Sequence, residues 1–162
     1  KSVAPGVRVG YLTADAATAE RIALSGLFDS GGSPSQFAAF VLAEYAASGD
    51  FVLGVERFRE GYRDRRDALL GGLERHLAST GARWTKPLGG YFLWVMLPDG
   101  IDVARLSDAA TQAGTGFVPA GVFYVDRQRA PKAIRLSFAR YPPAMLEEAA
   151  ARLAGAIEQA RS

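Results

Sequence analysis

One long run of helical periodicity crosses the middle of the sequence, over residues 51–77. Its apolar members recur at intervals of three, four and seven: Phe51, Val55, Phe58, Tyr62, Leu69, Leu73 and Leu77. Such spacing places them on one face of a helix of several turns. Gly71 and Gly72 should weaken its end, because each glycine costs about 1 kcal/mol relative to alanine inside a helix. A helix of this length commonly joins two bodies, so we predict an interdomain helix between residues 1–50 and 78–162.

Shorter elements are predicted on both sides of this helix. Before it, the residue patterns predict a short strand and two helices, at 7–12, 14–27 and 35–47. After it, strands alternate with helices, at 91–97, 102–113, 116–118, 133–138 and 142–159. The first of these strands is apolar at successive positions, which predicts burial on both faces. This alternation indicates a two-layer α/β or α+β domain.

The composition is typical of a globular protein. Of the 162 residues, 49% are hydrophobic and 22% are charged, a balance that excludes disordered and fibrous classes. No apolar run approaches the roughly 18 residues of a membrane helix. The sequence has no cysteine, which excludes disulfides, thiolate metal ligands and cysteine nucleophiles and fits a reducing compartment. We therefore expect a cytoplasmic protein with no membrane partner.

The basic residues do not form an obvious nucleic-acid-binding face. The formal net charge is only +2, and arginines are interleaved with acids over residues 56–67, as in the i,i+4 pair Arg63 and Asp67. A surface for DNA or RNA concentrates unpaired basic residues on one side. We interpret this segment as the solvated surface of a helix.

Common catalytic motifs are absent from the sequence. It contains no G-x-S-x-G, no H-E-x-x-H, no P-loop and no G-x-G-x-x-G after a strand. His76 is the only histidine, and we expect a partly exposed imidazole near the free carbonyls at the end of the long helix. Without a second histidine or a thiolate, neither a zinc site nor a Ser-His pair can be assembled in the usual way, so no metal site is predicted.

Arg135 is the candidate binding residue that the strand pattern itself indicates. Alternation along 133–138 places Ile134, Leu136 and Phe138 on one face and Arg135 with Ser137 on the other. A mid-strand arginine in apolar surroundings requires an anionic partner, because an unpaired buried charge is very costly. That partner is either a carboxylate of the protein or the carboxylate of a substrate, which the planar guanidinium binds through two hydrogen bonds.

Five segments in order resemble a known family: K-S-V-A-P-G-V-R-V-G-Y at 1–11, P-L-G-G-Y-F-L-W-V at 87–95, L-P-D-G-I-D at 97–102, V-P-A-G-V-F-Y-V-D at 118–126 and R-L-S-F at 135–138. The pattern resembles the class I/II aminotransferases of fold type I, the pyridoxal 5′-phosphate (PLP) enzymes of the aspartate aminotransferase superfamily. It is most similar to their 2-aminoadipate or aromatic-type branch. The resemblance covers essentially the whole chain.

The resemblance implies roles for individual residues. Lys1 corresponds to the Schiff-base lysine that binds PLP and moves the proton between substrate Cα and the cofactor. Arg8 corresponds to the arginine that holds the PLP phosphate, and Arg135 to the one that binds the α-carboxylate of the amino acid. Gly90, with Gly89, would allow close backbone approach near the substrate, although a tight turn would also favour glycine.

The resemblance also implies a domain organisation with an α/β fold. Residues 1–50 would be the C-terminal part of the large PLP-binding domain, 51–77 the interdomain helix, and 78–162 the small C-terminal domain. Because the family's remaining PLP contacts lie upstream of the lysine, the rest of the same protein is an expected partner and the isolated chain is expected to be inactive. The family also implies a homodimer, with the loop at 30–36 approaching the partner subunit's cofactor.

Several alternatives remain open from the sequence. The first hypothesis is transfer of an amino group between an amino acid and a 2-oxo acid. A second is the aminotransferase-like effector domain of a MocR-type transcription regulator, in which case nucleic acid would be a partner. An inactive fragment and other PLP chemistry on the same fold are further possibilities. Phe92, Phe123 and Tyr124 either shape a substrate pocket or form ordinary core.

Overall fold

The structure is a computed structural model that describes residues 3, 5–26 and 35–161. The chain forms two compact units, Lys1–Arg59 and Glu60–Ser162. The boundary lies inside the longest helix, so this helix contributes residues to both units. The strands of the described chain all belong to the second unit.

The described residues of the first unit include two helices and the beginning of a third. Helix α1 spans Ala16–Ala23, α2 spans Gln36–Ala47 and α3 spans Asp50–Leu77. Asp15 caps α1, since its carboxylate accepts from the backbone N–H of Thr18 at 3.0 Å. The Tyr45 hydroxyl donates to the Asp50 carbonyl at 3.0 Å and closes the corner between α2 and α3. Helices therefore form in the three N-terminal regions where the sequence predicts them.

The prediction of a strand at 7–12 is wrong. Pro5–Val7 forms a 3-10 turn, and residues 8–15 have no regular secondary structure. A strand needs a neighbour for its backbone N–H and C=O groups, and the sheet formed by the described residues contains no strand that pairs with this segment. Arg8 also adopts φ 60°, which is incompatible with an extended strand.

No single helix in the described part of the chain is long and apolar enough to cross a membrane. Residues Gln36–Ala47 and Asp50–Thr80 meet the length and composition requirements only as a pair, and that pair is bent by 91°.

The second unit contains an antiparallel four-stranded sheet. Its strands are β1 (Arg83–Trp84), β2 (Phe92–Met96), β3 (Val118–Pro119) and β4 (Ala133–Ser137). The strand order is β1-β2-β4-β3, and every neighbouring pair is antiparallel. Arg135 in β4 lies opposite Trp94 in β2 and opposite Val118 in β3. Strands β2, β3 and β4 confirm the strands predicted at 91–97, 116–118 and 133–138. The two-residue strand β1 was not predicted.

Three helices cover one face of this sheet. They are the C-terminal half of α3, α4 (Val103–Gln112) and α5 (Pro143–Gln159). Their buried apolar residues pack in one cluster with alternate residues of β2 and β4: Leu69, Leu73, Leu77, Leu93, Val95, Leu106, Ile134, Leu136, Leu146, Leu153 and Ile157. The result is a two-layer α/β unit in which burial of this cluster supplies most of the stabilisation.

Helices α3 and α5 approach each other closely at Gly72. A Cβ placed on Gly72 would lie 2.9 Å from the Cβ of Ala150 and 3.2 Å from the Cα of Glu147. The absence of a side chain therefore permits the two helix backbones to pack closely. The helix continues through both glycines to Leu77, because this packing outweighs their low helix propensity.

The strand at 91–97 is not buried on both faces, contrary to the prediction. Leu93 and Val95 are 0% exposed, whereas Phe92, Trp94 and Met96 are only half-buried. The reason is that the helices of the second unit cover one side of an antiparallel sheet, whose other side can remain open. Three of the five apolar residues in β2 therefore lie on the open face.

Candidate active site

Arg135 lies on the open face of the sheet, among aromatic side chains. Its guanidinium carbon, Cζ, is 3.9 Å from the ring centroid of Phe92 and 4.4 Å from that of Phe123. Trp94, opposite Arg135 in the register, packs edge-to-face against Phe123 with the ring centroids 5.4 Å apart. We call these four residues the arginine cluster. Its members come from β2, from β4 and from the 3-10 turn Ala120–Phe123 that follows β3.

The arginine cluster contains a cation that has no anionic partner among the described residues. Within the described ranges, no carboxylate lies at ion-pair distance from Arg135 and no protein group accepts a hydrogen bond from its guanidinium. No side-chain nitrogen in that part of the chain is both fully buried and unpaired, so the half-buried guanidinium still reaches solvent. Of the two partners predicted for Arg135, the internal carboxylate is therefore not found among these residues.

The predicted alternation along β4 is confirmed. Ile134, Leu136 and Phe138 are buried against the helices, with exposures of 0%, 7% and 1%. Arg135 is half-buried and Ser137 is exposed on the opposite face. The sheet thus separates a dry core from a face where a polar ligand can reach the guanidinium.

Phe92 and Phe123 are not ordinary core residues, and Tyr124 is not part of the cluster. Phe92 is half-buried and Phe123 is 45% exposed, so both rings remain accessible on the open face. Tyr124 follows the turn, is 44% exposed and makes no ring contact with the arginine cluster. Sequence reasoning assigned no role to Trp94, because only the strand register shows that it faces Arg135.

Gly90 belongs to a loop before β2 that α3 holds in place. It has φ 84°, which favours glycine, and a Cβ added there would meet no atom within 4 Å. Arg66 on α3 donates Nη1–H to the carbonyls of Pro87 and Leu88, at 3.4 and 3.5 Å. Asp67 pairs with the same guanidinium at 2.7 Å. Sequence reasoning missed Arg66, since these long-range contacts leave no local signal.

Tyr91 provides a second link between this loop and α3. Its ring packs edge-to-face against Tyr62, with the centroids 5.0 Å apart. Partial burial raises the pKa of the Tyr91 hydroxyl above 10.0, and the neighbouring Tyr62 adds a smaller effect in the same direction. The Tyr91 phenol therefore stays neutral near pH 7, and its contact with the Tyr62 ring is made by an uncharged group.

The residues predicted to hold PLP lie in the first unit. Lys1 is outside the described residues, as are 30–34 of the loop predicted to approach a partner cofactor. Arg8 is described and exposed, and no carboxylate in the described ranges pairs with it. An exposed and unpaired guanidinium fits a phosphate group, which arginine binds through charge-assisted hydrogen bonds. Arg135 and Gly90 both belong to the second unit.

The single histidine has the position expected for it. His76 is exposed in the last turn of α3. Among the residues that the structure describes, no group of three or more His, Asp or Glu side chains is arranged to hold a metal ion.

The sequence also matches a known protein family over most of its length. The family model described as aminotransferase class I and II matches residues 2–153. The chain belongs to this family. Membership confirms the resemblance carried by the five ordered segments, and the α/β architecture of this aminotransferase chain agrees with it.

Individual aminotransferases match nearly the whole chain. Aromatic-amino-acid aminotransferase 1 from Thermococcus litoralis is 30% identical over 159 residues, which are 98% of this chain and 37% of that protein. The crystal structure of Pyrococcus horikoshii kynurenine aminotransferase in complex with PMP matches with a TM-score of 0.88 and 32% identity. That match covers 98% of this chain and 38% of the crystallised chain. The chain therefore spans less than two fifths of the length of these aminotransferases.

A regulator also matches this chain. The uncharacterized HTH-type transcriptional regulator YdfD from Bacillus subtilis is 32% identical over 139 residues. The match covers 86% of this chain and 28% of that protein. Sequence similarity therefore extends to a protein named as a regulator.

Proposed function

We propose that this chain is part of a PLP-dependent aminotransferase that transfers an amino group between an amino acid and a 2-oxo acid. Residues 1–50 would belong to its large domain, 51–77 to the interdomain helix and 78–162 to its small domain. The observation that carries the proposal is the arginine cluster, in which Arg135 is half-buried and has no anionic partner among the described residues. Family membership supports the same reaction class.

A substrate α-carboxylate is the anion that suits Arg135. The guanidinium presents parallel N–H donors that match the two oxygens of a carboxylate. Amino acids and 2-oxo acids both carry this carboxylate beside the reacting carbon. One arginine can therefore orient the substrates of both halves of the reaction. Gly90 would let the backbone of the preceding loop approach the bound substrate.

Lys1 and Arg8 are the residues of this chain that we assign to the cofactor. When bound, PLP supplies the electron-withdrawing ring that makes the substrate Cα–H acidic. Lys1 would attach the cofactor through its amine and then, once free, take the proton from substrate Cα. Arg8 would hold the phosphate with its exposed guanidinium. The aminotransferase from Pyrococcus horikoshii was crystallised with PMP, which supports this cofactor class.

The proposed active enzyme requires the remaining part of the protein and a second subunit in addition to this chain. Since the matched relatives are more than twice as long, the remaining part of the protein is the first proposed partner, and the isolated chain would be inactive. A homodimer is the second proposed partner, with the loop at 30–36 near the other subunit's cofactor. The cysteine-free sequence fits a cytoplasmic location.

Conservative replacement of Arg135 tests the proposal in the full-length protein. Arg135→Lys keeps the charge but loses the paired hydrogen bonds, so kcat/KM should fall by roughly 10- to 100-fold while the fold persists. Steady-state kinetics with an amino acid and a 2-oxo acid measures the effect, and circular dichroism checks the fold.

Arg140→Lys is the matched control. Arg140 is also an arginine over an aromatic ring, 5.5 Å from the Tyr141 centroid, but it is exposed and outside the arginine cluster. Its replacement should leave kcat/KM within about twofold of the original. Unchanged kinetics in Arg135→Lys would eliminate the carboxylate-binding role.

The match to YdfD favours a second candidate, the effector domain of a transcription regulator. The two functions differ in what the full-length protein does. Multiple turnovers with an amino acid and a 2-oxo acid support the aminotransferase. Sequence-dependent retention of DNA in a mobility-shift experiment, without turnover, supports the regulator.

A further inference from the structure

Two phenylalanine rings from different elements contact the same guanidinium. Phe92 is the first residue of β2, and Phe123 ends the 3-10 turn after β3. Strands β2 and β3 flank β4 on opposite sides. The Cζ atom of Arg135 is nevertheless 3.9 Å from one ring centroid and 4.4 Å from the other. Such cation–π contacts attract the guanidinium, and the attraction grows as the group loses water.

We infer that Phe92 and Phe123 are positioning residues that orient Arg135 for the substrate carboxylate, an inference that rests on the function proposed above. A free arginine side chain loses much rotamer freedom when a ligand fixes it. Here the rings restrict the side chain before the ligand arrives, so binding avoids part of that cost. A ring face also leaves the N–H donors without an oxygen acceptor, so they remain available to a carboxylate.

The rings could instead contact the substrate side chain directly, and the two roles predict different behaviour. A ring that acts through Arg135 affects ligands that carry a carboxylate and has no effect once the arginine is removed. A ring that contacts the ligand's side chain affects the carboxylate and its uncharged analogue equally. Arg135 is therefore the natural second site for a double-mutant cycle.

Binding of 3-phenylpropanoate and of 3-phenylpropanamide to the full-length protein separates these roles. The two probes have the same phenylethyl group, but one carries a carboxylate and the other an uncharged amide. The ratio of their Kd values, measured by isothermal titration calorimetry, therefore reports on the arginine. Phe92→Leu and Phe123→Leu keep apolar volume but remove the ring, so each should reduce the preference for the carboxylate by roughly three- to tenfold. Phe92→Tyr and Phe123→Tyr keep a ring and should stay within about twofold of the original ratio.

Phe138→Leu is the matched control for loss of an aromatic residue. Phe138 follows β4 directly, faces the helices and is 1% exposed. Its replacement should lower the melting temperature, because it leaves a cavity in the core, yet it should not change the Kd ratio. If Phe138→Leu reduced the carboxylate preference as much as Phe92→Leu does, the inference would be overturned. Nonspecific loosening of the packing would then explain both effects.

The Arg135→Ala background distinguishes failure of this inference from failure of the proposed function. If Arg135→Ala abolishes the carboxylate preference while both leucine variants retain it, the positioning role is wrong and the carboxylate site stands. If Phe92→Leu weakens both probes equally, the ring acts directly on the side chain of the ligand and the inference is again wrong. If Phe92→Leu still changes the ratio in the Arg135→Ala background, the ring does not act through the arginine, which also overturns the inference. If the original protein shows no preference, or Arg135→Ala keeps it, the proposed carboxylate site itself fails.

Discussion

At the scale of single residues, the surroundings of Arg135 determine which partner it can accept. A buried arginine usually pairs with a carboxylate of its own protein, since an unpaired charge in a dry interior is costly. Arg135 is only half-buried and lies over two rings, 3.9 and 4.4 Å from their centroids. The rings offset part of the loss of water without using the N–H donors. These donors therefore remain available to a carboxylate ligand, as the proposed function requires.

Asp102 is a second residue whose role follows from its immediate contacts. Its carboxylate caps α4 by accepting from the backbone N–H groups of Ala104, at 2.7 Å, and Arg105, at 3.2 Å. These bonds lower the pKa of the Asp102 carboxyl below 3.8, with that to Arg105 contributing most. The charged form is therefore favoured in the folded state.

The lowered pKa predicts how the contribution of Asp102 to stability depends on pH. Because the folded-state pKa is below the unfolded value, the contribution is fully present above pH 3.8 and is lost as the pH falls through the folded pKa. Asp102→Ala should therefore lower the urea midpoint of unfolding at about pH 7 and have a smaller effect at about pH 3. An effect that stayed constant across this range would contradict the capping role.

At the scale of elements, the contact between α3 and α5 depends on one glycine of an adjacent pair. A Cβ on Gly72 would meet the Cβ of Ala150 at 2.9 Å and the backbone of Glu147 at 3.2 Å. A Cβ on Gly71 would meet only the guanidinium of Arg75, at 3.4 Å, which is the end of a flexible side chain. The two neighbouring glycines therefore differ in function: close packing against α5 requires a glycine at position 72 but not at position 71.

Alanine at each glycine should change stability in opposite directions. Gly72→Ala should reduce the free energy of unfolding by about 1–2 kcal/mol, because overpacking against α5 exceeds the gain in helix propensity. Gly71→Ala should increase it by up to about 1 kcal/mol, since it gains propensity without a clash. Equilibrium urea unfolding measures both values, and equal effects of the two substitutions would show that α3 and α5 do not approach as closely as described.

The elements also show what could be predicted from the sequence. Two kinds of pattern predict structure well: long helical periodicity, as in α3, and strand alternation, as at Ile134, Arg135 and Leu136. Both patterns arise because one face of the element is buried. The prediction at 7–12 failed because β-propensity cannot supply a partner strand. The neighbours of Arg135 depend on strand register and on a turn after β3. Alternation therefore placed Arg135 on the face opposite Ile134 and Leu136, but it showed neither that this face is open nor which rings contact the guanidinium.

At the scale of the whole molecule, the residues assigned to the cofactor and to the substrate belong to different units. Arg135 and Gly90 lie in Glu60–Ser162, and Lys1 and Arg8 lie in Lys1–Arg59. The match to an aminotransferase from Thermococcus litoralis covers 98% of this chain but only 37% of that protein. A complete cofactor site would therefore use residues from the remainder of the protein. Lys1 is the residue to which we propose that the cofactor is attached.

Borohydride reduction of the full-length protein in the presence of PLP, followed by peptide mapping by mass spectrometry, tests the attachment to Lys1. Lys86 and Lys132, the other lysines of this chain, serve as internal controls in the same sample. We predict a phosphopyridoxyl adduct on Lys1 at near-stoichiometric yield, with little on the other two, and its loss in Lys1→Ala. A protein without an adduct, or one modified equally at all three lysines, would contradict the account.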